Sequence, residues 1–196
     1  MFEQTILWRR VDLPGHDACS LRAAEGGWDL TGTAVFSSGV RPCRLLYSVE
    51  CDDAWRTRSA SVTGAIGRGP VQLKIVSLPG ARWALNGRER AQVQDCVDVD
   101  LNFTPATNLI AICRLALRVG DRAEAPAAWL RFPELELEPL EQRYHRVAID
   151  RYEYEAPGVD YAATLQVSEI GFVTRYPGLW EVEAVEGSEP IARFSD

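Results

Sequence analysis

The chain has 196 residues, 46% hydrophobic and 25% charged, a balance typical of a soluble globular domain with one sizeable core. Its formal net charge of −7 excludes a general positive field of the kind that attracts nucleic acid or anionic lipid. The first residues, MFEQTILWRR, have the wrong charge order for a secretory signal, and no window approaches the roughly 20 apolar residues of a membrane span. We therefore predict a cytoplasmic protein with no membrane span and no nucleic-acid partner.

Cysteine and histidine usage argues against metal and disulfide chemistry. The five cysteines are odd in number, no CxxC pair occurs, and the chain has only two histidines, His16 and His145. Such cysteines are typically buried free thiols. We predict no zinc site and no cofactor.

Alternation with period two dominates the first half of the chain. In RLLYSVECD (44–52) and VQLKIV (71–76), apolar and polar residues face opposite ways, with Leu46 as an apolar exception. Each segment predicts a strand with one face exposed to water. Asn86-Gly87 predicts a hairpin between two strands, because both residues tolerate positive φ.

The clearest helix-start signal is Thr104-Pro105, since threonine can cap a helix and proline fits its first position. This signal predicts a helix from Pro105 to about Ile112. The alternation over 115–119 then predicts a strand, which Gly120-Asp121 would join to another strand.

Further strands are predicted at ELELE (134–138) and YAATLQV (161–167). One short helix cannot cover so many strands in a layered fold, so the sheet must curl around the helix. The predicted fold is mainly β: a large curled antiparallel sheet wrapped around a single short α-helix. We predict one domain over residues 1–186 and a flexible C-terminal tail over 187–196.

Five segments together resemble the bacterial putative glycolipid-binding family, formerly a domain of unknown function. They are RLLYSVECDDAWRTRSASV (44–62), DCVDVDLNFTPATNLIAICRL (95–115), ELELEPLEQRY (134–144), RYEYE (151–155) and EIGFVTRYPGLWE (169–181). The resemblance implies a spiral β-roll around one helix, a homodimer, and a lipid or glycolipid ligand. The family's shape is similar to that of periplasmic lipoprotein carriers.

The DVD sequence at 98–100 has three interpretations. As in sugar-nucleotide enzymes, Asp95, Asp98 and Asp100 could bind a divalent cation and support a metal-assisted reaction on a sugar-containing substrate. The flanking valines favour a second interpretation, in which the aspartates form the polar face of a strand. In the third, Asp98 or Asp100 pairs with Arg114.

Other catalytic patterns are weak. The chain has no GxSxG, GxxxxGK[ST] or GxGxxG motif, and the glutamates at 134, 136, 138, 153 and 155 alternate as an exposed strand face would. Glycoside hydrolysis by a pair of them is the less favoured interpretation. We therefore predict no catalytic residue and no enzymatic activity.

Tryptophan and tyrosine are spread along the chain, and aromatic rings suit a site that takes an amphiphile. We predict a non-enzymatic protein that binds a lipid-like or glycolipid-like amphiphile, with the acyl part on the concave apolar face of the sheet. Arg114 is the best candidate for gripping a head group. A structural dimerisation or protein-interaction module is the further alternative. The candidate ligand-binding residues are Trp55, Arg56, Asp98, Asp100, Asn108, Arg114, Tyr152 and Tyr154.

Overall fold

The computed structural model describes residues 2–187, which form 17 strands and one α-helix. Two short 3₁₀ turns, Ala91–Val93 and Pro157–Val159, complete the regular structure. The strands and the helix are β1 (Glu3–Arg10), β2 (Gly15–Ala24), β3 (Gly27–Ser38), β4 (Arg41–Asp52), β5 (Thr57–Ile66), β6 (Gly69–Leu78), β7 (Arg82–Leu85), β8 (Arg88–Glu89), β9 (Asp98–Asp100), α1 (Asn108–Leu115), β10 (Arg122–Glu124), β11 (Ala127–Arg131), β12 (Glu136–Leu140), β13 (Arg143–Ala148), β14 (Arg151–Ala156), β15 (Tyr161–Val167), β16 (Val173–Tyr176) and β17 (Trp180–Gly187).

Fourteen strands form one antiparallel sheet in the order β10-β13-β14-β15-β16-β17-β1-β2-β3-β4-β5-β6-β7-β8. The two halves of the chain meet where β1 pairs with β17, from Gln4 opposite Gly187 to Arg10 opposite Trp180. The sheet is not closed, since β10 and β8 remain as its edges. The large curled antiparallel sheet around one short helix is confirmed.

A second, three-stranded sheet in the order β12-β11-β9 was not predicted. Its β9–β11 pair is parallel and has only three residue pairs, from Asp98 opposite Ala127 to Asp100 opposite Trp129. A strand this short is too brief to show a period in sequence.

The alternation predicted for β4 is confirmed, because its odd-numbered residues from Cys43 to Cys51 are buried and its even-numbered ones are not. Leu46 is indeed exposed, at 44%. The buried residues of neighbouring strands are in register, and one row crosses five strands through Leu21, Leu30, Val49, Ala60 and Ile75. Such cross-strand rows stabilise the sheet by excluding water from its inner face.

Two turns show how far local sequence predicts the chain path. The hairpin at Asn86-Gly87 is confirmed, with φ of 50° and 75° between β7 and β8. Gly120-Asp121, in contrast, does not join two strands, because no strand precedes it after the helix. It leads from a loop into β10.

The helix begins and ends three residues later than predicted, at Asn108 and Leu115. Thr104 does not cap the helix, because its Oγ1 accepts a hydrogen bond from the N–H of Ala106 in the preceding turn. Ala116, with φ of 45°, ends the helix in the left-handed conformation. The predicted strand over 115–119 is wrong, because Leu115 is the last residue of the helix and residues 116–119 form the loop that follows it.

Two boundaries in the second half also differ from prediction. β12 begins at Glu136 rather than at residue 134, because Leu135 has a φ of 57° and ends a turn. Gly187 is the last residue of β17, so the tail predicted from 187 starts too early. The remainder of that tail lies outside the described residues. The strand at Tyr161–Val167 is confirmed.

The helix fills the concavity of the sheet. Leu109 and Ile110 are fully buried against the inner faces of β1–β7, whereas Ala111 and Ile112 pack with β13–β15. Phe103, which precedes the helix, is 1% exposed in the same interior. Where the helix meets the sheet, the roll is therefore filled by its own side chains. The expectation that an acyl chain lies on this concave apolar face is not supported.

Candidate functional site

An open pocket lies between the two sheets, beside the start of the helix. Its volume is about 180 Å³. That volume is below the roughly 300–1,000 Å³ typical of pockets for drug-sized ligands, so the pocket suits a head group and not a whole amphiphile. Its lining residues are Asp100, Asn102, Thr104, Asn108, Trp129, Leu140, Tyr154, Ala156, Val159, Tyr161, Tyr176, Leu179 and Trp180.

Three tyrosines form one wall of the pocket, which we call the tyrosine wall: Tyr154 of β14, Tyr161 of β15 and Tyr176 of β16. Their ring centroids are 5.4 to 6.2 Å apart and their planes are inclined by 53° to 77°. The hydroxyl of Tyr161 donates a 2.6 Å hydrogen bond to the carbonyl of Pro177 and so fixes its ring. Tilted aromatic contacts of this kind stabilise a cluster beyond its buried area.

Asp100 supplies the one charged side chain among the lining residues. It lies at the end of β9, where Oδ1 accepts a 2.8 Å hydrogen bond from the N–H of Asn102 and Oδ2 accepts one of 2.9 Å from the Gln142 amide. Burial raises the pKa of Asp100 to about 6, although both hydrogen bonds oppose the shift. At neutral pH the pocket therefore contains a carboxylate that is predominantly ionised and poorly hydrated.

A second acid lies behind the pocket and is connected to it by Thr104. The Thr104 hydroxyl donates a 2.5 Å hydrogen bond to Oδ2 of Asp17, and the Tyr47 hydroxyl donates one of 2.9 Å to the same oxygen. The other oxygen, Oδ1, has no hydrogen-bond partner, and Asp17 is completely buried. Burial raises its pKa to about 6.

Asp98 faces away from solvent, so the second interpretation of DVD, an exposed polar strand face, is wrong for this residue. It is 2% exposed, and Arg114 donates two hydrogen bonds to it, at 2.8 and 2.6 Å. The third interpretation, an ion pair with Arg114, is confirmed for Asp98. The predicted role of Arg114 in binding a head group is not supported, because its guanidinium is already bound to this carboxylate.

The three aspartates do not converge as metal ligands. Asp98 is held by Arg114, Asp100 by Asn102 and Gln142, and Asp95 lies in an exposed turn with a φ of 68°. Within residues 2–187, no group of three or more histidine, cysteine, aspartate or glutamate residues is placed to hold a metal ion. The geometry therefore does not support a metal-assisted enzyme that uses Asp95, Asp98 and Asp100.

The eight predicted site residues fall into three places. Asp100, Asn108 and Tyr154 line the pocket. Three others lie outside the lining: Arg114 belongs to the helix, Asp98 to β9, and Tyr152, which is 3% exposed, to the core. Trp55 and Arg56 lie in the turn between β4 and β5, where Trp55 stacks on Trp28 at 4.7 Å. Tyr154 is likewise buried, at 2% exposure.

Sequence reasoning missed Thr104, Tyr161, Tyr176 and Gln142 as site residues. Tyr161 and Tyr176 each adjoin a Pro-Gly turn, at Pro157-Gly158 and Pro177-Gly178. Two aromatic residues beside turns of adjacent hairpins would have been a usable signal. Gln142 is 3% exposed, and no sequence pattern indicates its contact with Asp100.

Residues 5–182 match the model of a family described as "Putative glycolipid-binding". The match covers most of the chain. The chain belongs to the putative glycolipid-binding family. No curated protein matches the chain.

Two solved structures resemble this member of the putative glycolipid-binding family. The crystal structure of a DUF1089 family protein from Pseudomonas aeruginosa is 28% identical, with a TM-score of 0.75, over 84% of this chain and 91% of that one. A beta-barrel-like protein of domain of unknown function DUF1849 from Brucella abortus has a TM-score of 0.56 over 96% of this chain and 99% of that one. It is only 6% identical, so it supports the fold alone. Across the described residues, no helix has the length and hydropathy needed to cross a membrane.

Proposed function

We propose that this protein binds the head group of a lipid-like or glycolipid-like amphiphile in the pocket and does not convert it chemically. The observation that carries the proposal is the joint presence of the tyrosine wall and the polar groups of Asp100, Asn102 and Asn108 in one open pocket. Aromatic rings contact the apolar faces of a sugar or lipid head group, and amide and carboxylate groups orient its polar atoms. The family description supports the same ligand class.

The amphiphile's apolar part would lie along the mouth of the pocket. Val159 is 46% exposed there, and Leu179 is half-buried beside it. The interior beneath is filled by the helix, which leaves no reason to place an acyl chain deeper. Each methylene that leaves water on such a surface contributes up to about 0.8 kcal/mol.

Passive binding fits the acids of the pocket better than catalysis does. Glycoside hydrolysis uses two carboxyl groups roughly 5–9.5 Å apart on either side of the scissile bond. Asp100 is the only acid among the lining residues, and Glu153 and Glu155 are exposed on the outer face of β14. The absence of catalysis remains a proposal.

Native mass spectrometry of protein purified from its own host tests the proposal, since a bound amphiphile adds a discrete mass. Val159→Arg should abolish this adduct, because a charged side chain then blocks the mouth of the pocket. Val40→Arg is the matched control, since Val40 is fully exposed in the turn between β3 and β4. An adduct that persists in Val159→Arg, or a bare protein mass in the wild type, would contradict the proposal.

A structural or interaction module is the second candidate, favoured by the filled interior. Its contact surface would not be an edge of the 14-stranded sheet, because β8 has two residues, β10 has three, and both carry charges that oppose strand addition. Exposed Val119, Val147 and Ile149 are available for such contact. The homodimer and the cytoplasmic location remain predictions. Light scattering measures the first, and a mass above that of one chain would support it.

A further inference from the structure

The one charged residue that lines the pocket is acidic. Among the 13 lining residues, Asp100 carries a charge and none is lysine, arginine or histidine. Asp17 adds a second acid behind Thr104. A pocket with two acids and no basic lining residue attracts cations and repels anions such as phosphate.

Asp100, which is partly buried, also differs from Asp98, the fully buried acid of β9. Asp98 has the guanidinium of Arg114, whereas the hydrogen-bond donors to Asp100 are a backbone N–H and the neutral amide of Gln142. Within residues 2–187 no ion pair involves Asp100, although the chain contains 21 lysine and arginine residues. Its charge therefore lacks the cation that a partly buried carboxylate ordinarily requires.

The tyrosine wall is the second component of a cation site. Aromatic rings attract ammonium groups through their negative faces, most strongly where water is excluded. Arg10 shows this interaction with a residue that lines the pocket, since its guanidinium carbon is 4.9 Å from the ring centroid of Trp180. Its charge is already balanced by Asp12, at 2.6 Å, so it does not neutralise Asp100.

We propose that the pocket selects a head group with an ammonium cation, held between the Asp100 carboxylate and the tyrosine wall. The inference rests on the proposed function and names the ligand class of the same site. The ammonium group can come from a quaternary lipid head group of the choline type or from an amino sugar. A neutral sugar would leave the charge of Asp100 without a partner.

Choline and 3,3-dimethyl-1-butanol distinguish charge from shape, because they differ chiefly in the replacement of the nitrogen cation by carbon. Titration of the full chain, monitored by the shifts of its tryptophan indole N–H signals, should show choline binding at least about tenfold more tightly. D-glucosamine against D-glucose is the parallel pair for an amino sugar. Whichever of the two compound pairs shows the larger preference for its cationic member identifies the source of the ammonium group.

Two sets of variants test which residues cause the preference for the cation. Asp100→Asn should remove it, since the Gln142 amide can rotate to keep a hydrogen bond while the charge is lost. Asp160→Asn is the matched control, because Asp160 is an exposed acid next to Val159 and asparagine suits its φ of 52°. Tyr161→Leu should weaken choline binding about tenfold, whereas Tyr161→Phe keeps the ring and should retain it.

The outcomes separate this inference from the proposed function. If D-glucose or octyl glucoside binds and neither cation is preferred, the ammonium inference is overturned and head-group binding stands. If neither the cationic nor the neutral compounds shift the indole signals, both the ammonium inference and the proposed head-group binding are overturned. Equal preference for the cation in wild type and Asp100→Asn would also overturn the assignment to this carboxylate.

Discussion

The guanidinium of Arg114 and the carboxylate of Asp98 form a two-bonded ion pair that joins the helix to β9. The bonds measure 2.8 and 2.6 Å, with side-chain exposures of 18% for Arg114 and 2% for Asp98. Burial raises the pKa of Asp98 and Arg114 opposes the shift, so the pair compensates a desolvated charge. The pair holds the helix against the small sheet that forms one side of the pocket.

Removal of one partner should destabilise the fold strongly. Arg114→Met leaves the Asp98 carboxylate buried without a cation, and we expect the free energy of unfolding to fall by about 3 kcal/mol. The double variant Asp98→Leu/Arg114→Met should recover most of this loss, because no isolated charge remains. Urea unfolding of the wild type, both single variants and the double variant measures the coupling. If the stability losses of the two single variants simply add in the double variant, Asp98 and Arg114 do not act as a pair.

Asp17 should make the folded protein more stable as the pH falls. Its pKa is about 6 in the folded chain against an ordinary 3.8, so the folded state binds its proton more readily than the unfolded state. Relative to Asp17→Asn, the wild type should therefore gain roughly 2 kcal/mol as pH falls from about 7 to about 4. The nearest titratable groups, Tyr47 and Cys19, remain neutral throughout this range.

Thermal unfolding of wild type and Asp17→Asn at a series of pH values measures this difference. The comparison between the two proteins cancels the contribution of the many exposed carboxylates. A difference that does not change between pH 4 and 7 would show that Asp17 is not a desolvated acid.

Asp100→Asn should raise stability at alkaline pH. The pKa of Asp100 is also about 6 in the folded chain, so its ionised form disfavours folding above that pH. We expect the variant to gain about 1–3 kcal/mol at pH 8 and to lose this advantage by pH 4. Chemical denaturation at the two pH values measures the gain. A less stable variant at pH 8 would mean that the hydrogen bonds of Asp100 outweigh the cost of its burial.

Gly32→Ala should disturb the network around Asp17. A Cβ at Gly32 would lie 2.3 Å from the ring of Tyr47, whose hydroxyl binds Asp17. We expect a loss of about 1–3 kcal/mol. Gly158→Ala is the control, since a Cβ there meets no atom within 4 Å, and its stability should be unchanged or slightly higher. The Cβ added at Gly32 would also lie 2.7 Å from the carbonyl oxygen of Ala18. Urea unfolding compares the two variants, and equal stability would mean that the Tyr47 ring and the Ala18 backbone both accommodate the added methyl group.

Local pattern was sufficient for much of the fold. The alternation of β4 and β15 and the Asn86-Gly87 turn predicted their elements correctly, because side-chain direction and turn geometry depend on adjacent residues. The same pattern failed over 115–119. Leu115 is the last residue of the helix and residues 116–119 form a loop, so the alternation of apolar residues there does not correspond to a regular element.

The sequence by itself determined that the chain is mainly β, with one short helix and a sheet that must curl. It also offered an ion pair of Asp98 or Asp100 with Arg114 as one of three interpretations of the DVD sequence. Only the tertiary structure decided that the helix fills the roll, and that Asp100, Tyr154, Tyr161 and Tyr176 share one pocket. The physical reason is that burial periodicity is a property of neighbouring residues, whereas a pocket is formed by side chains from strands that meet only after the whole sheet has curled.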